Sequence, residues 1–174
     1  MFTHNIWLAT ELLARFEKRP GECSYFLVSD DPASEIKGKV DRATGPRWDT
    51  VKNLGKKVDD HLRDAAATSG AAQSSLVEAA YGVMRSWCEV VVEEVLFGDV
   101  TRRYRANIMM GGLRNVHPDR LEAAITVIED LFSRACRYIP DHSQPLPTLG
   151  TRPTLAEARA DWRTAQDTVK AYRG

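Results

Sequence analysis

QSSLVEAAYGVMRSWCEVVVEEVLF, residues 73–97, organises the rest of the chain around it. Val77, Tyr81, Met84, Cys88, Val91 and Val95 recur three or four residues apart, which places them on one stripe of a long α-helix. Gly98 ends that helix, and Val100 to Tyr104 adds a further turn. Upstream, Ser69-Gly70 separates it from a helix that Asp49 caps and that runs through Ala67. Downstream, Met110-Gly111-Gly112 reads as a loop, and Pro118 suits the first position of a helix burying Leu121, Ile125, Ile128, Phe132 and Ala135. A Pro-rich linker from Ile139 to Pro153 leads to a last helix, opened by the capping box Thr154 to Glu157. Ahead of Gly45-Pro46 the character differs. A helix over 6–18 carries Ile6, Ala9, Leu12, Leu13 and Phe16 on one side and stops at Arg19-Pro20-Gly21. Two extended runs follow, Cys23 to Ser29 and Glu35 to Val40, around an Asp30-Asp31-Pro32 turn. The expected fold is mainly α: a small α/β piece over 1–45, then a lobe of three to four helices over 46–174.

Composition sets the bounds. With 174 residues, 43% hydrophobic and 28% charged, the chain suits a soluble domain large enough to bury a core. Lys plus Arg equals Asp plus Glu at 24 each, so net charge argues neither for nor against a nucleic-acid partner. Cys23, Cys88 and Cys136 are far apart and odd in number, which fits a reducing cytoplasm better than a disulfide framework. No basic leader with an apolar stretch opens the chain, and no apolar run reaches the length of a membrane span.

The polar residues each have a structural and a functional reading. Cys88 fits the apolar stripe and Cys136 adjoins one, as packed thiols would. Arg85 and Glu89 have the spacing of an i,i+4 pair, while Glu78 and Glu93 near the same face could instead form a polar seam against a partner. His61, His117 and His142 show no zinc-ligand spacing, so no metal site is expected. Arg102, Arg103 and Arg105, with Arg114 nearby, could grip phosphates or a partner, or simply pair with carboxylates inside the protein. Trp7, Trp48, Trp87 and Trp162 are spread along the chain and suit core or interface positions.

Phe2-Thr3-His4-Asn5-Ile6-Trp7, followed by an amphipathic helix, resembles the switch-histidine loop of SMC-like ABC ATPases. The run Arg85-Ser86-Trp87-Cys88-Glu89, continuing through Glu93, Leu96, Val100, Arg103 and Tyr104, resembles the tail of large ATPases of bacterial defence systems, the anticodon-nuclease-, Septu- and retron-associated kinds. The resemblance implies that His4 and Asn5 stand at a nucleotide site, with His4 facing the terminal phosphate of ATP. An imidazole there can accept a hydrogen bond from attacking water or donate one to a phosphate oxygen. It also implies ATP and Mg in the complete ATPase.

The departures are equally definite. There is no GxxxxGK followed by Ser or Thr; Lys39 and Lys56 each follow a glycine but lack the rest of the motif. Ser69 to Gln73 imitates an ABC signature and Tyr25 to Pro32 a magnesium-site strand, yet both follow His4, whereas the family places them before it. The expectation is therefore the C-terminal part of an ABC-type ATPase, supplying His4 and a helical docking lobe but unable to hydrolyse ATP alone. Its partner would be the rest of the ATPase, a complementary subunit or a second copy of itself. A free-standing helical adaptor without nucleotide, or a nucleic-acid-binding module resting on the arginines, are the alternatives.

Overall fold

A computed structural model describes residues 3, 5–16, 19, 21–31, 36–43, 49–103, 107–138 and 152–174, and over these the chain is mainly α-helical. It divides into two units, Met1–Trp48 with Arg102–Ile108, and Asp49–Thr101 with Met109–Gly174. Helix α1 (Ile6–Phe16) and strands β1 (Tyr25–Asp31) and β2 (Ile36–Ala43) belong to the first. Helices α2 (Val51–Ala66), α3 (Gly70–Val91), α4 (Pro118–Arg137) and α5 (Leu155–Arg173) belong to the second.

The helical unit is an antiparallel bundle. At one end Val51 N, opening α2, donates to Glu94 Oε2 beyond α3, and Tyr172 Oη, closing α5, donates to Leu96 O while accepting from His117 N ahead of α4. At the other end Tyr81 of α3 meets Tyr138 after α4, and Gln73 reaches back to the last turn of α2. Alternating directions are how four amphipathic helices bury their stripes against one another. The core is continuous: Val51, Leu54, Val58, Leu62 and Ala65 from α2 meet the α3 stripe, with Ala124, Ile128, Leu131 and Ala135 of α4 and Ala158, Trp162, Ala165 and Val169 of α5. Every member of the expected α3 stripe is buried, and Ala80 and Trp87 widen it.

Several local expectations need correction. Thr50, not Asp49, caps α2: its hydroxyl accepts from Asn53 N at 3.1 Å, while Asp49 pairs with Lys57. On α4 the buried face is rotated, so Ile125 is exposed and Ala124 and Leu131 are inside. Helix α3 does not run regularly to Phe97; Val92–Leu96 widens into π-helical turns. Val100 to Arg103 adds no helical turn, whereas Met110-Gly111-Gly112, expected as a loop, opens the 3-10 helix Met110–Asn115. The reversal between them depends on glycine. Gly98 takes φ 54° and a Cβ on it would collide with the Gly112 carbonyl, and one on Gly112 with the Gly98 carbonyl.

The first unit is built differently. β1 and β2 pair as an antiparallel hairpin, in register Tyr25↔Ala43 to Val28↔Val40, with an irregularity between Ser29 and Asp31. Both strands start or end beyond the expected runs, Cys23 lying outside β1 and β2 continuing to Ala43. No described residue of this unit is buried. α1 exposes Ile6, Trp7 and Leu8, and the hairpin exposes Phe26, Val28 and Val40, which the register puts on one face.

Candidate functional site

His4 and Arg105 lie outside the described residues, as does most of the 139–153 linker. Asn5 is described and is a helix cap: its Oδ1 accepts from Leu8 N at 3.1 Å, and its own N–H donates to Thr3 Oγ1 at 2.9 Å. That geometry satisfies the first orphan donors of α1. Arg102 is half-buried and Arg103 exposed, and neither is without a partner. Arg114 projects from the 3-10 helix. Among the described residues no cluster of His, Cys, Asp and Glu could hold a metal, and no helix is long and apolar enough to cross a membrane.

The two lookalike motifs have structural work. Ser69 to Gln73 forms the turn into α3, where Gly70 takes φ 64° and Gln73 Nε2 donates to Ala65 O and Thr68 O at 3.0 and 2.9 Å, closing α2. Tyr25 to Asp31 is one half of the two-stranded hairpin. Cys88 is buried, and burial first, then Cys136 and Glu89, pushes its thiol up to about 12. A thiol so held is a packing group and no nucleophile at neutral pH.

One partly buried polar network ties three helices. Tyr81 Oη donates to Asp161 Oδ2 at 2.7 Å, and Arg134 Nη1 sits 2.7 Å from Asp161 Oδ1 while its Nη2 reaches Asp130 Oδ2 at 2.8 Å. Burial, then the hydrogen bond to Asp161, holds the Tyr81 hydroxyl well above the usual phenol range. Sequence reasoning missed this cluster because Tyr81, Arg134 and Asp161 come from α3, α4 and α5 and share no spacing. Arg85, by contrast, makes the expected pair with Glu89, at 3.5 Å, and lies over the Phe132 ring.

The second feature missed is a groove of about 540 Å3 between α2 and α5. Its floor holds two indoles, Trp87 from α3 and Trp162 from α5, edge to face with centroids 4.8 Å apart. Trp162 Nε1 donates to Asp59 Oδ1 at 2.7 Å. Trp87 is 2% exposed as a residue; its indole N–H has no hydrogen-bond partner among the described residues and is not one of their buried unpartnered atoms, so it opens onto the groove. Gly55 sits over this floor: a Cβ there would lie 3.8 Å from Trp87 Nε1 and 3.7 Å from Trp162 Cζ2. Lys52 and Lys56 from α2 and Lys170 and Arg173 from α5 line the same groove. Only Arg173 of these has an ion-pair partner among the described residues, Glu94 at a loose 3.9 Å. The available signal was Lys52-Asn53-Leu54-Gly55-Lys56, a mid-helix glycine flanked by lysines an i,i+4 step apart.

No protein-family model matches the chain, and neither a curated protein nor a solved structure is similar to it.

Proposed function

We propose that the chain is the C-terminal part of an ABC-type ATPase of the SMC-like kind, acting in the cytoplasm as a helical docking lobe. The observation that carries this is the contrast in burial: the helical unit has a continuous core, while the N-terminal unit buries none of its described residues. An 11-residue helix and a two-stranded hairpin are marginal structures without cover. Exposed Ile6, Trp7, Leu8, Phe26, Val28 and Val40 favour completion by another polypeptide, which in an ATPase is the large sheet of the nucleotide-binding lobe. The ATPase identity itself rests on the resemblance around His4 and Arg85 to Tyr104. In this reading His4 faces the terminal phosphate, Asn5 caps the following helix, and ATP and Mg are held by the remainder of the protein. The chain alone lacks a phosphate cradle and does not turn over ATP. Three free cysteines suit a reducing compartment.

The test is reconstitution. The isolated chain shows no ATPase activity above background. Supplied with the complementary ATPase lobe, it restores turnover, and His4→Ala in the reconstituted pair lowers turnover with little loss of ATP binding. Turnover by the isolated chain that disappears in His4→Ala contradicts the proposal. A second reading, a free-standing adaptor that binds a protein and no nucleotide, is favoured by the self-sufficient core of the bundle. It predicts a partner that engages α2 to α5 and is indifferent to His4.

A further inference from the structure

We propose that the groove between α2 and α5 binds a small molecule bearing a phosphate or carboxylate, with Trp87 Nε1 as a donor to one of its oxygens. Three independent features converge on this chemistry. First, an indole N–H that has no acceptor in the protein and opens onto a groove is free to donate to an oxygen placed there. Trp162 donates to Asp59, whereas Trp87, 2% exposed, lines the groove; its N–H has no acceptor among the described residues and is not one of their buried unpartnered atoms, so it opens onto the groove. Second, the side chains around the opening are cationic. Lys52, Lys56 and Lys170 make no ion pair among the described residues, and one acidic side chain, Asp59, lines the groove with them, an oxygen of it already occupied by Trp162. A cleft lined by one sign of charge draws in the opposite sign.

Third, Gly55 sits in the interior of α2, where glycine is the poorest helix former after proline. Alanine would meet both indoles at ordinary contact distances, so packing does not demand the glycine there. What alanine would do is cover Trp87 Nε1 and fill the floor. Gly82, also inside a helix, has nothing within 4 Å of its would-be Cβ and leaves no such floor open. The volume suits a compact ligand, within the usual range of small-molecule sites. The site lies wholly in the helical unit and does not depend on the ATPase assignment.

The experiment is a titration of the 15N-labelled full chain, following the four indole N–H cross-peaks, with Trp87 assigned through the backbone. Inorganic phosphate, adenosine monophosphate and benzoate are added separately at fixed ionic strength, which separates free phosphate, nucleotide phosphate and carboxylate as the source of the oxyanion. At least one should shift the Trp87 indole peak saturably at millimolar concentration or below. Gly55→Ala should raise the melting temperature and weaken that binding at least tenfold, so the loss cannot be unfolding. The paired substitution Lys52→Gln and Lys170→Gln should weaken it severalfold with the Trp87 peak otherwise unchanged. If no probe shifts the peak saturably, or if the shift persists unaltered in Gly55→Ala, the groove is an ordinary solvent-filled cleft and the proposal is overturned.

Discussion

Helix α1 is IWLATELLARF and at most half-buries its residues, Ala9, Leu12 and Leu13 among them; helix α2 is VKNLGKKVDDHLRDAA and fully buries Val51, Leu54, Val58, Leu62 and Ala65. The more apolar helix is the more exposed one. The reason is that burial belongs to a pair of surfaces. The apolar residues of α2 fall on one narrow stripe, and α3 and α5 supply matching stripes within the same unit. α1 spreads Ile6, Trp7 and Leu8 beyond one contact face, and its unit offers only a hairpin whose own Phe26, Val28 and Val40 are exposed. Apolar content thus marks where a partner is wanted, and the spacing of that content marks whether the partner lies in the same unit.

The sharpest way to break this contrast compares two tryptophans. Trp87→Ala removes a ring that is 2% exposed in the bundle and should cost about 3–5 kcal/mol. Trp7→Ala removes one that is 53% exposed and should stay within ~0.5 kcal/mol in the isolated chain. Denaturant unfolding of both variants decides, and equal losses would remove the distinction between the units.

The polar tie in the bundle gives the next effect. Asp161→Asn leaves Arg134 with Asp130 as its one carboxylate among the described residues and weakens the bond from Tyr81, at a cost of roughly 1–3 kcal/mol. Tyr81→Phe should then cost less in that background than in the wild type, because the two act through one network. Additive losses would show that the hydrogen bond contributes nothing of its own.

Smaller effects concern the helix ends and the groove. Thr154→Ala removes the hydroxyl that accepts from Glu157 N and should cost about 1 kcal/mol. Gly55→Ala should stabilise by up to about 1 kcal/mol, since the methyl fits against both indoles. A destabilised Gly55→Ala would mean the helix needs the glycine for packing. The smallest expected effect is with pH. Hydrogen bonds from the Thr154 backbone N–H and then its hydroxyl hold Glu157 below its ordinary range. A depressed folded-state pKa gives stability that is present above the unfolded value and lost as pH falls through the folded one. Acidification through the carboxylate range should therefore erode α5, and the slope should flatten in Glu157→Gln.

The sequence made the helical unit largely legible. The α3 stripe, the Pro118 start of α4 and the Thr154 to Glu157 box depend on residues a few positions apart, and local spacing reads such features directly. Where contacts come from afar, it did not. Ile125 faces outward because α3 and α5 meet α4 slightly off its most apolar line. The close passage of Gly98 and Gly112 joins residues on either side of a reversal. Trp87, Trp162 and Gly55 converge from three helices, and Tyr81, Arg134 and Asp161 from three again, with no motif to announce either group. His4, the residue on which the nucleotide assignment turns, is outside the described residues, so that part of the candidate site rests on sequence alone.

Native-state hydrogen exchange on the isolated full chain tests the central claim most directly: that the N-terminal unit takes its cover from another polypeptide while the bundle is complete in itself. Amides of α2 to α5 should exchange only through global opening, whereas those of α1, β1 and β2 should exchange through local opening at far lower free energy. Adding the complementary ATPase lobe should then raise protection over α1 and the hairpin alone. Protection of α1 equal to that of α3 in the isolated chain would contradict the claim.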